Sequence, residues 1–319
     1  MPKLALIGLV AAVAGSSPQV VARIQTGAAP GGAVSGFGAV WVTNDGSGTL
    51  VRVDPRTNRV TRRIRLRPGV FSVTRGFGAL WTVNDRTQLL TRVNPASGRK
   101  RSVRIGGEPG SVVAAFGRVW VTAWASGRLV VVDPRSLRVL KRIRIGPTPA
   151  NLRVANGAIW VGFGRSATSV ARVDPNTFSI VRVPVGVQAP RTFVTGTRDL
   201  WIQAGDHMLV RLDPSSRAVT AKLSLGSTLA GGALAPDGMI WMPDKEQNVV
   251  YRVDPGTARV VDSFPAGAGA FFALRAYGSM WVTSYAGSDV WRFKPAAPAK
   301  PARPLAVGVA SEPLRPSGP

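Results

Sequence analysis

The chain has no cysteine, one histidine (His207) and three glutamates (Glu108, Glu246 and Glu312) among its 319 residues. Without cysteine there is no disulfide framework, no thiol nucleophile and no thiolate metal site. One histidine excludes metal sites built from two or more imidazoles. Acid–base chemistry that needs paired carboxylates is thinly supplied, because Glu312 sits in a Pro-rich C-terminal stretch. Lysine is also scarce, at Lys3, Lys100, Lys141, Lys222, Lys245, Lys294 and Lys300. The excess of 41 basic over 16 acidic residues, a formal charge of +25, is therefore mostly arginine. No long helical pattern occurs. The apolar stretch Leu4 to Val13 is too short to cross a bilayer.

What is present is a repeat. Tryptophan recurs at 41, 81, 120, 160, 201, 241 and 281, about every 40 residues, a period of propeller blades. A Gly-rich lead-in precedes it (Gly36-Phe37-Gly38, Gly76-Phe77-Gly78, Ala115-Phe116-Gly117, Ala276-Tyr277-Gly278), and β-branched residues follow (Val42-Thr43, Val121-Thr122, Val282-Thr283). About 13 residues later comes an Asx-Pro turn, at Asp54, Asn94, Asp133, Asp174, Asp213 and Asp254, replaced by Lys294-Pro295 in the seventh copy. In the second repeat the strands fall at Val70–Thr74, Leu80–Val83, Leu89–Val93 and Lys100–Ile105, labelled A to D. The last repeat lacks strand D, and Gln19–Gln25 matches it, compare Arg59–Arg65. The expected fold is all-β: one seven-bladed propeller of four-stranded antiparallel blades, closed by the N-terminal strand, which removes the open sheet edges.

The ends carry separate signals. Lys3, the apolar stretch and Ala12-Val13-Ala14 read as a signal peptide over residues 1–14, so the mature protein is expected to be secreted or held in the cell envelope or periplasm. Residues 15–295 form the propeller. Residues 296–319, rich in Pro and Ala, read as a disordered tail. A monomer is expected.

Binding residues on such a scaffold gather in the loops that depart from the repeat. The D–A and B–C loops share one face around the axis. They offer Asn44, Asn84, Glu108, Trp124, Asn151, Phe163, Arg191, Asp244 and Tyr285 as ligand-contacting candidates, with Phe271 and Phe272 either there or in the core. Aromatic side chains among amides and a few charges suit a peptide, glycan or planar ligand, or a protein partner. His207 with Asp206, Asp244 and Glu246 on neighbouring blades is the one acid–base cluster the sequence allows, with His207 and Glu246 as its weak catalytic candidates. Asn44-Asp45-Gly46-Ser47-Gly48 lacks the twelfth-position Glu of a calcium loop, so no metal site is expected.

The arginines have two readings. Those of strand D and the turn before it (Arg56 to Arg67, Arg99 to Arg104, Arg135 to Arg144) either protect sheet edges or bind an anionic polymer such as teichoic acid, lipid headgroups or nucleic acid. Their crowding in the first three repeats leans toward a one-sided basic surface, since Val219–Leu225 and Val260–Phe264 carry little charge. The arginine before each Asx-Pro turn (Arg52, Arg92, Arg172, Arg211, Arg252, Arg292) follows the repeat and is expected to pair with turn carboxylates or carbonyls.

Trp41-Val42-Thr43-Asn44, Trp81-Thr82-Val83-Asn84, Trp120-Val121-Thr122 and Trp281-Val282-Thr283, the first three followed further on by the Asx-Pro turn, resemble the YVTN-type seven-bladed propellers and the related streptogramin (virginiamycin B) lyase-like propellers, over about residues 19–295. The lyase resemblance implies opening of a cyclic depsipeptide by elimination with Mg²⁺, using a His of a P-H-G motif before strand A and a Glu of W-F-T-E. Here the first position holds Gly31, Gly69, Gly110, Ala150 and Arg191, and the second Asn44, Asn84, Ala123, Phe163, Ala204, Asp244 and Ser284. The expectation is therefore an exported, non-enzymatic propeller that binds a ligand or acts as a scaffold, without cofactor. A lyase-like carbon–oxygen lyase using Mg²⁺ and a binder of anionic polymers stay open as alternatives.

Overall fold

The computed structural model describes residues 17–295, so the expected signal peptide and C-terminal tail lie outside it. Those residues form seven four-stranded antiparallel sheets, each running A-B-C-D from the axis outward. Six blades are continuous in sequence. The seventh takes strands A to C from Ala270–Ala276, Ser279–Ser284 and Asp289–Lys294, and its outer strand from Gln19–Gln25. Ile24 pairs with Val290 and Gln25 with Asp289, so the two ends of the chain close the ring as expected. In the second blade the strands run Val70–Gly76, Ala79–Asn84, Leu89–Val93 and Lys100–Arg104.

The repeated residues explain the blade. All seven tryptophans are fully buried on strand B, between one sheet and the next. Five donate Nε1–H to the carbonyl five residues earlier, for example Trp41 to Gly36 at 3.1 Å and Trp281 to Ala276 at 3.1 Å. Trp241 donates instead to the Asp237 carboxylate at 3.3 Å. In these six blades the ring thus satisfies its one polar group and locks the A–B hairpin beneath it. The Asx side chain of the C–D turn accepts backbone N–H groups two and three residues on, as Asp133 does from Arg135 and Ser136. These N–H groups hold the carboxyls of Asp54, Asp133, Asp174 and Asp213 below the ordinary range.

The threonine two residues after the tryptophan ties blade to blade. Thr43 donates to Phe71 O at 2.6 Å, Thr122 to Ala150 O at 2.9 Å and Thr283 to Gly31 O at 3.0 Å, each on strand A of the following blade. In blade 4 that place is Gly162, where any Cβ would meet the Arg191 carbonyl of blade 5.

The A–B hairpins turn through two residues with positive φ, as at Phe37 (52°) and Gly38 (70°), the type I′ geometry that matches strand twist. Blades 5 and 6 depart from the repeat. Their inner strands shrink to Pro190–Phe193 and Ala233–Leu234. The inner wall there is stitched directly, by Thr195 N–H to Gly232 O, Leu234 N–H to Thr195 O and Gly231 N–H to Phe271 O.

Candidate functional site

Residues from all seven blades meet at one end of the axis, where strand A begins. They enclose a cavity of about 410 Å³. Its apolar wall includes Phe71, Trp124, Leu229, Phe271 and Phe272, and its polar groups are Asn151, Arg191, Gln203, Asp206, Thr228 and Lys245. Phe71 and Phe271 meet edge to face at 5.4 Å, and Phe271 leans on Tyr285 at 5.3 Å. Rings held in this way are fixed before any ligand arrives.

The charges are few. Arg191 Nη2 lies 2.8 Å from Asp206 Oδ1 and 2.6 Å from Gly205 O. With the Asp206 carboxylate largely exposed, that pair adds at most about 1 kcal/mol to stability. Lys245 forms no ion pair among the described residues; its Nζ stands 5.6 Å from the Tyr285 ring. It is the uncompensated cation at the mouth. Burial, with a hydrogen bond to Asp45 Oδ2 at 2.6 Å, pushes the Tyr285 phenol up to about 12, so it stays neutral and braces Phe271.

Of the candidates read from the sequence, Trp124, Asn151 and Arg191 line the cavity, and Tyr285 stands behind Phe271. Glu108 is exposed and off the lining. Asn44, Asn84, Phe163 and Asp244 are the last residues of strand B and are buried. Asn44 donates to Thr26 O, and Asn84 to Arg67 O and Pro68 O. Phe163 packs in the core under the Arg182 guanidinium. Asp244 accepts from the backbone of Ser227, Thr228, Glu246 and Gln247. Burial would raise its carboxyl, but these N–H groups outweigh it and hold the group below the ordinary range. The three polar side chains are thus spent on shaping the loops, and Phe163 on the core. His207 and Glu246 are exposed and outside the lining, and no three of His, Asp and Glu gather closely enough to share an ion among the described residues.

Sequence reasoning missed Phe71 and Gln203. Phe71 occupies the second position of strand A, where Phe271 occupies that of the seventh blade, so aligning that column would have shown it.

The strand D cations have a use that neither expectation included. Arg63, Lys100, Arg142, Arg182 and Lys222 each donate to a carbonyl at the outer end of the preceding blade: Thr26, Arg65, Ile105, Ile145 and Gly186. They clasp the outer rim. The arginine before the Asx-Pro turn sits opposite the tryptophan on the adjoining strand in six blades. Arg292 reaches the Pro55 carbonyl, Arg211 pairs with Asp199 at 2.5 Å, and Arg252 with Asp237 and Asp262. All three of these carboxylates lie outside the Asx-Pro turns.

No family model matches the chain, and no curated protein matches it in sequence. Solved structures do match in fold. Virginiamycin B lyase from Staphylococcus aureus superposes with a TM-score of 0.73 at 13% identity, over 84% of this chain and 95% of that one. Its catalytically inactive H270A form with quinupristin superposes at 0.73 and 14% identity, over 87% and 98%. Kuenenia stuttgartiensis hydrazine synthase superposes at 0.72 and 12% identity, over 83% and 95%. At these identities the likeness is one of fold: a seven-bladed propeller like that of the streptogramin B lyases.

Proposed function

We propose that this propeller is an exported binding protein that holds a small, partly aromatic anion in its axial cavity and does no chemistry on it. The observation that carries this reading is the composition of the lining: preset aromatic rings from blades 2, 3 and 7 face a single uncompensated cation, Lys245. An aromatic body buries against Phe71, Phe271 and Trp124, and an acidic group gains a charge-assisted bond from Lys245. Signal-like residues 1–14 support export.

The lyase alternative is weaker on the same residues. Elimination needs a base at the acidic carbon and a cation on the carbonyl. The one carboxylate on the lining, Asp206, is engaged by Arg191, and His207 lies outside. That donor set does not fit Mg²⁺, and no step is derived through it.

Ligand-observed NMR with indole-3-acetate and tryptamine tests the proposal. The acid is expected to bind and the amine not, with binding weakened about tenfold in Lys245→Ala. Gly110→Leu is expected to abolish it. A Cβ at Gly110 meets only ordinary contacts, at 3.7 Å from Thr122 Oγ1 and 3.8 Å from Ala150 O, so that variant fills the cavity without disturbing the wall. Equal binding of acid and amine, or binding that survives Gly110→Leu, overturns it.

A further inference from the structure

The face opposite the cavity carries a second set of features that the axial site does not use. There the A–B turns of four consecutive blades, 7, 1, 2 and 3, present Tyr277, Phe37, Phe77 and Phe116. Their exposures are 44%, 44%, 42% and 39%. Each sits at φ between 50° and 52°, a left-handed conformation that bulky side chains rarely adopt. Blade 4 has Asn156 at the same turn, the residue type that tolerates this conformation. The rings are thus kept where a cheaper residue is available to the fold.

A second cost coincides with the first. In blade 6, strands C and D place Arg252 directly opposite Asp262, and the two form an ion pair. At the same register blade 1 places Arg52 opposite Arg62, and blade 2 places Arg92 opposite Arg101. Like charges opposite each other destabilise a sheet. None of these four arginines has a carboxylate partner among the described residues, and Arg92 Nε is buried with no hydrogen-bond partner there. Arg52 and Arg62 line a groove of about 410 Å³ with Phe37, Thr61, Pro95 and Ala96, between blades 1 and 2. Arg52 uses one N–H on Thr61 Oγ1, and Arg62 one on the Pro95 and Ala96 carbonyls, which leaves most of each guanidinium's donors free.

We infer that the turn face of blades 1 and 2 binds single-stranded nucleic acid, with phosphates held at the Arg52–Arg62 and Arg92–Arg101 pairs and bases stacked on Phe37 and Phe77. Guanidinium forks match phosphate oxygens in pairs, and an intervening anion turns each like-charge pair into a favourable bridge. Exposed rings next to a basic groove are the stacking platforms of sequence-tolerant single-strand binders. The overall charge of +25 adds long-range attraction. A phosphate polymer without bases would use the arginines but leave the rings idle, so the rings decide for nucleic acid.

The test uses a fluorescent 12-residue oligothymidylate, with inorganic polyphosphate as the base-free counterpart. Two bridged phosphates predict a loss of roughly sevenfold in affinity between 50 and 200 mM salt. Arg62→Asp with Arg101→Asp copies the Arg252–Asp262 pair into both blades. It is expected to keep the fold, by thermal melting, and to abolish oligonucleotide binding with its salt dependence. Phe37→Asn with Phe77→Asn copies Asn156 and is expected to weaken the oligonucleotide at least tenfold while leaving polyphosphate unchanged. Gly110→Leu should change nothing, which separates this surface from the axial cavity. The inference is overturned if the oligonucleotide fails to bind at 50 mM salt, or if the aspartate variant binds like wild type. An asparagine variant that binds the oligonucleotide as tightly as wild type also overturns it, in favour of a base-free phosphate polymer.

Discussion

Asp244→Asn is expected to loosen the blade-6 wall of the cavity and to lower stability by about 2–6 kcal/mol at neutral pH. Asp244 Oδ2 accepts from Ser227 N at 2.6 Å and Thr228 N at 3.2 Å; Oδ1 accepts from Glu246 N at 3.1 Å and Gln247 N at 2.9 Å. Ser227 Oγ donates to Oδ1 at 3.1 Å. One carboxylate thereby joins the D–A loop, which supplies Thr228 to Gly231, to the B–C loop, which supplies Lys245. An amide keeps one acceptor oxygen. Whichever way it is turned, its NH₂ faces two part-buried backbone N–H groups, each left unpaired at about 1–3 kcal/mol. For a domain of this size the midpoint of that range lowers Tm by roughly 10 °C. The pH dependence has a definite sign. The folded carboxyl is held below its unfolded value, so its stabilisation is full above about pH 4 and is lost as pH falls through the folded pKa. Melting curves of both proteins from pH 7 to pH 2.5 measure it. The gap should be widest at neutral pH and narrow in acid. A gap under 1 kcal/mol at pH 7, or one that does not change with pH, refutes the reasoning.

Asp237→Ala removes the acceptor of Trp241 Nε1 and a carboxylate beside the buried Arg252, and is expected to cost about 3 kcal/mol by urea melting. A chain that begins at Thr26 lacks the closing strand, leaves the edge at Asp289–Lys294 unpaired, and should aggregate or dimerise in light scattering. The Tyr285 phenol should ionise near pH 12 in an ultraviolet titration, and Tyr285→Phe should remove that phase. Because its folded pKa is raised, its contribution to stability is full below pH ~10 and is lost as pH rises through 12. With Mg²⁺ present, a streptogramin B-type depsipeptide should stay intact; turnover that disappears in His207→Ala would restore the lyase reading.

The fold was legible because its markers are periodic. Trp41 to Trp281 recur with one spacing, and the missing strand D pointed straight to Gln19–Gln25. The site was legible only in part. Position along the repeat told which loops surround the axis, which is why Trp124, Asn151 and Arg191 were found. It could not tell the direction of a side chain at the end of strand B. Asn44, Asn84 and Asp244 turn inward because the adjoining loops have backbone groups that need partners, a demand that appears only once the loops are folded. The arginines show the same limit. Charge alternation on strand D suggested a solvated edge, yet Arg63, Arg142 and Arg182 reach carbonyls about 37 residues back, contacts that exist only between stacked blades.

The central claim is that the axial cavity holds a partly aromatic anion beside Lys245, and a crystal structure of the protein soaked with indole-3-acetate tests it most directly. The account predicts the indole ring between Phe71, Phe271 and Trp124, with its carboxylate on Lys245 Nζ. Density for the ligand elsewhere with the cavity empty, or a carboxylate turned away from Lys245, would contradict it.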